Sequence, residues 1–217
     1  MGKASRKKRP IKAKARKGSM GFTIAVVAIV VLGVAGIALS RGGGGGGSSD
    51  DTPPTLNDHW HTAYAVNICG TVEPNMPQPS RLGGLHTHND GLIHVEPFVT
   101  ASALDRGDNA TLARYAESMP GMKLSATEIQ VPGGKLMKNG DLCDGKDPGK
   151  LTIRQWKDAT SDDFKDYTNP KDVKITDGGA ITMAFLPEGR EIAKPATIPN
   201  LANPNAGEGG APKMPQG

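Results

Sequence analysis

Bulky and small side chains alternate without a break over residues 59–69. Trp60, Thr62, Tyr64, Val66 and Ile68 hold the even positions; His59, His61, Ala63, Ala65, Asn67 and Cys69 hold the odd ones. A period of two belongs to a β-strand with unlike faces. Residues 85–98 read as one or two further strands, broken at Asn89-Asp90-Gly91, a strong tight-turn signal. The best helical stretch is 109–119, where Leu112, Tyr115 and Ala116 recur at helical spacing and Pro120-Gly121 stops the run. Residues 151–156 and 181–186 predict two more strands, the last preceded by a turn at Asp177-Gly178-Gly179. The pattern predicts a small α+β domain, richer in strand than in helix, over residues 55–194.

Before that domain the pattern changes kind. Residues 20–40 contain no charge, and 24–32 are an unbroken run of Ile, Val, Ala and Leu. Twenty-one residues at helical rise cover roughly 30 Å, the thickness of a bilayer's hydrocarbon core. Only a helix hides the backbone polar groups of such a segment, so a transmembrane helix is expected there. A cleaved signal peptide is the competing reading, with Ala38-Leu39-Ser40 as its cleavage site. Its apolar region is normally about 7–15 residues, shorter than this one. Residues 41–54, with six consecutive glycines and a diproline, read as a linker, and residues 195–217 as a disordered tail.

Charge sets the topology. Ten of the 26 basic residues lie at or before Arg41, where there are no acidic ones. From Gly42 onward 16 Lys and Arg face 22 Asp and Glu, a net charge of −6. A basic tail (1–19) before the apolar segment keeps the N-terminus cytoplasmic and the larger part outside, at the cell membrane. The basic whole-chain balance therefore gives no reason to expect nucleic acid as a partner. The membrane is the expected one, together with any envelope or membrane protein beside it. With 29 glycines, 17 prolines and 4% aromatic residues the core must be modest, and a covalent or metal staple would help it.

All five histidines fall between positions 59 and 94. They form the pairs His59-Trp60-His61 and His86-Thr87-His88, followed by His94, which shares strand parity with Glu96. Residues two apart on a strand face the same way, so each pair aims two imidazoles together. Two such strands side by side would gather four rings, with His94 and Glu96 as additional ligands. Zinc and copper take three or four ligands of these types. The same histidines can instead be a hydrogen-bonded structural cluster in an envelope domain. A metalloenzyme with an open coordination position is the third option, with Glu96 or Asp90 as base. The second pair partly matches the cupin pattern, but Leu92 and Ile93 stand where its metal-binding Glu is expected and Ser80 where its glycine is. Amidohydrolases that open with His-X-His need a barrel of about 250 residues.

The stretches HWHxAY…C (59–69), GLHTHxDGLIHVxPF (84–98) and DGGxIxxAFxPEG (177–189) resemble an actinobacterial family of single-pass proteins anchored at the N-terminus. The resemblance spans most of the exported part. It implies the topology and a shared domain, and it implies no activity. Members often carry glycine at the position of Asn89 and histidine at that of Glu96. A carboxylate in place of an imidazole still binds a metal but shifts the preference among ions.

Cys69 and Cys143 both lie on the exported side. An even count in an oxidising compartment predicts one disulfide, closing a loop of about 75 residues. Cys69 as a metal ligand is the alternative, but it stands about 26 Å along a straight strand from His61. Met119 and Met122 have the spacing of Cu(I) carriers, though methionines beside a helix end more often pack.

Overall fold

The computed structural model describes residues 52–204. The basic tail, the apolar segment 20–40, most of the linker and residues 205–217 lie outside the described residues. Among the described residues no helix is long and apolar enough to cross a membrane.

The domain is strand-rich α+β, as the pattern implies. β1 (Trp60–Ile68) and β2 (Thr71–Val72) form a hairpin. Its two-residue loop, Cys69-Gly70, has φ of 55° and 92°, the left-handed pair that a tight hairpin of this hand requires. β3 (Leu85–His86) and β4 (Leu92–Val95) follow, separated by a turn with Asn89 and Gly91 at positive φ. A Cβ on Gly91 would fall 2.2 Å from the Thr197 methyl, so glycine is required there on two counts.

α1 (Leu112–Ser118) is the expected helix, shortened at its start. Thr111 caps it by accepting the Arg114 N–H, while Asn109 belongs to a separate 3-10 turn. Short strands β5 (Lys123–Leu124), β6 (Glu128–Gln130) and β7 (Met137–Lys138) make a small second sheet. β8 (Leu142–Cys143), β9 (Asp147–Trp156), β10 (Lys165–Tyr167) and β11 (Ala180–Pro187) return the chain to the main sheet.

The main sheet runs β10-β9-β11-β1-β4-β3, and every neighbouring pair is antiparallel except β1 and β11. This central parallel pair departs from the antiparallel double sheets of jelly rolls such as cupins. β11 is buried along nearly its whole length, as a strand covered on both faces must be. On one face Tyr64, Val66, Ile93, Val95, Ile153, Met183 and Phe185 pack against Leu112 and Tyr115 of α1 and against Ile129 and Met137 of the small sheet. Met119 and Met122 lie in this same core, so packing accounts for both.

On the other face Ala63, Leu92, Trp156 and Ala180 are covered by Ile192, Ile198 and Leu201. The domain thus continues beyond 194, correcting the expected boundary. Residues 198–202 form a 3-10 turn, Thr197 Oγ1 donates to the Tyr64 and Gly91 carbonyls, and Asn200 Nδ2 donates to the Asp90 carbonyl. The polar composition that suggested disorder supplies these backbone hydrogen bonds. Cys69 and Cys143 form the expected disulfide, joining the end of β1 to β8 across 74 residues. That pairing removes Cys69 from any metal site.

Candidate metal centre

Three adjacent strands carry the histidines. His61 of β1 lies in register with His94 of β4, and His94 with His86 of β3, so one ring from each strand stands in a row across one face. His59 joins the row beside His61, their ring centroids 4.6 Å apart. His88 joins beside His86, with the two Nε2 atoms 3.0 Å apart. Same-face projection within each pair is therefore as the alternation implies.

The arrangement between the pairs differs from expectation. The two His-X-His segments do not neighbour each other, because β4 inserts between β1 and β3. His94, an additional ligand on sequence grounds, becomes the centre of the cluster. Its ring centroid is 4.7 Å from His61, 4.5 Å from His88, 5.5 Å from His86 and 6.4 Å from His59. Two sets of donors result, with one ligand atom per residue and all within 4.8 Å of one another: His86, His88, His94 and Glu96, and His59, His61 and His94.

Hydrogen bonds fix which nitrogens carry lone pairs. His86 Nδ1 lies 2.9 Å from the Gly83 carbonyl, which can only accept, so in the neutral ring the lone pair is on Nε2, toward His88. His94 Nε2 lies 2.7 Å from Asp90 Oδ2 and donates to it, leaving the lone pair on Nδ1. Nδ1 is the nitrogen that faces Glu96, 3.9 Å from Oε1. These are the partners by which carbonyls and carboxylates outside a metal's ligand shell set the tautomer and aim of its histidines. Asp90 is itself positioned by its turn, taking the Leu92 N–H and the Thr87 hydroxyl on Oδ1.

Burial governs the charge state. Desolvation, with repulsion that a charged His61 would feel from its neighbours His94 and His59 adding to it, pushes His61 down to about 3. Desolvation and the neighbouring His88 and His94 push His86 down to about 4. Both rings are thus neutral at physiological pH, the form that ligates metals. Burial alone would raise the Asp90 carboxyl, but hydrogen bonds from His94 and Leu92 outweigh it and hold it below its ordinary value.

His61 Nε2 and His94 Nδ1 are buried and have no hydrogen-bond partner among the described residues. A hydrogen-bonded structural cluster would engage such nitrogens, since buried polar atoms are nearly always partnered. The donor chemistry fits a transition metal. Ligands about 2.1 Å from a tetrahedral ion stand roughly 3.4 Å from one another, a little wider than the 3.0 Å His86–His88 spacing.

Glu96 Oε1 also takes the His59 Nε2, at 2.8 Å. The contributions of Asp90 and of the Gly83 carbonyl were not legible as such in the sequence. Asp90 reads there as a turn residue or a base, and a main-chain oxygen leaves no residue-type signal. No protein-family model matches the chain, and neither a curated protein nor a solved structure does.

Proposed function

We propose that the protein is a membrane-tethered, extracytoplasmic domain that holds one transition-metal ion, zinc or copper, and passes it on. His86 Nε2, His88, His94 Nδ1 and Glu96 are the ligands. The observation that carries this reading is the buried lone pair of His94 Nδ1, left without a protein partner while Asp90 holds the other face of the ring. Three imidazoles and a carboxylate are a set that both ions accept. Four protein ligands close the coordination shell, as in sites that hold an ion rather than activate water on it. Asp90 is engaged by His94 and Leu92, and Glu96 by His59, so neither is poised as a base.

Export is supported by the uncharged segment 20–40 behind its basic tail and by the disulfide, a bond of oxidising compartments. The test is elemental analysis of the full chain, expressed into the periplasm of a bacterial host and purified in mild detergent. About one equivalent of zinc or copper is expected, lost in His94→Ala and held more weakly in His86→Ala. A metal-free chain whose melting temperature ignores both EDTA and added Zn2+ would overturn the proposal. Resistance of the protein to carbonate extraction from membranes tests the anchor.

A further inference from the structure

The cluster contains more donors than one ion uses. His59 and His61 stand outside the set of His86, His88, His94 and Glu96, yet with His94 they form a second set of metal-ligand spacing. His61 Nε2 is buried without a hydrogen-bond partner, an independent sign that this nitrogen too is meant for a ligand. The two sets differ in access. The His59 side chain is 37% exposed, whereas His94 is 0% and His86 is fully buried. The set of His59, His61 and His94 opens to solvent at His59, and the other is more enclosed, with only His88 partly exposed.

The shared residue decides how the sets relate. His94 gives its Nε2–H to Asp90, so only Nδ1 has a lone pair, and one lone pair makes one dative bond. Two ions cannot both be completed by His94. Glu96 stands at the boundary, with Oε1 2.8 Å from His59 Nε2 and 3.9 Å from His94 Nδ1.

From this geometry we infer that His59, His61 and His94 form a second, solvent-facing position for the same ion, alternative to the inner one and on its route in and out. Entry breaks the bonds to His59 and His61 and forms those to His86, His88 and Glu96, while His94 Nδ1 stays bound. Oxidation state does not change, and the imidazoles ligate as neutral rings. The inference rests on the inner site proposed above.

Cobalt(II), whose visible bands report ligand number, tests it on the full chain in detergent. Wild type should bind one Co2+. His86→Ala/His88→Ala should still bind one, more weakly and with the spectrum of a three-imidazole set without the carboxylate, and His94→Ala should bind at neither position. His59→Ala removes an exposed ring and spares the core. Release of its bound Co2+ to a chelator should slow at least tenfold. Wild type binding two ions overturns the exclusivity. His86→Ala/His88→Ala binding none, or His59→Ala releasing at the wild-type rate, overturns the outer position and leaves the inner one standing. Wild type binding none overturns both.

Discussion

Asp90→Asn isolates the tautomer argument from every direct ligand. Asp90 Oδ2 accepts the His94 Nε2–H at 2.7 Å, and Oδ1 accepts the Leu92 N–H at 3.0 Å. Asparagine has one acceptor oxygen. If that oxygen keeps Leu92, the amide NH2 faces His94 and favours the ring with its proton on Nδ1 and its lone pair on Nε2, aimed away from the ion. The same exchange at a catalytic aspartate–histidine pair preserves geometry while leaving the ring in the wrong tautomer. Loss of such an outer partner typically costs 10–100-fold in metal affinity, about 1.4–2.7 kcal/mol. The measurement is competitive Zn2+ titration against a chromophoric chelator, on fresh protein because an Asn-Gly pair deamidates. Circular dichroism confirms that the variant is folded. A folded Asp90→Asn chain with wild-type Zn2+ affinity would refute the assignment of Nδ1 as the ligand atom.

The metal-free domain should lose stability on acidification. His61 and His86 titrate at about 3 and about 4 in the fold against 6.5 unfolded, so below pH 6.5 the unfolded chain binds more protons. Stability then falls from about pH 6.5 until the native rings titrate. Between pH 7 and 5 the loss is on the order of 2 kcal/mol from His86, with less from the more open His61. Urea melts of EDTA-treated protein at both pH values check this, and a flat profile would contradict it. Replacing Cys69 and Cys143 by serine should cost about 4 kcal/mol, the loop-closure term for a separation of 74 residues, read as a lower denaturation midpoint. Gly149→Ala should destabilise by about 1–3 kcal/mol, because the new Cβ meets the Phe185 ring at 2.2 Å. Thermal melts equal to wild type would show that the ring can move aside.

Strand identity in the domain was legible wherever one face was buried. The alternation around Tyr64 places β1 to within a residue at each end, and Asn89-Asp90-Gly91 separates β3 from β4 where a turn must. Both follow from local sterics and a two-residue period, which the neighbours of a residue in the chain suffice to express. The cysteine pairing was equally plain, since two cysteines that form a disulfide within one chain have one way to join. Several short strands were not legible, since two or three residues are too few to show a period. β9 runs past Pro148-Gly149, a pair that ordinarily signals a turn, because the Phe185 ring packs directly on Gly149.

For the site, the residues themselves determined which imidazoles point together within each pair, because a spacing of two settles a strand's faces whatever the fold. Which pair meets which was decided by tertiary structure alone. Strand order depends on long-range hydrogen bonding, and here β4 entered between β1 and β3, making His94 the centre and splitting the donors into two sets that differ in access. The roles of the Gly83 carbonyl and of Asp90 were decided there too, because a hydrogen bond that assigns a lone pair exists only once the chain has brought donor and acceptor within 3 Å.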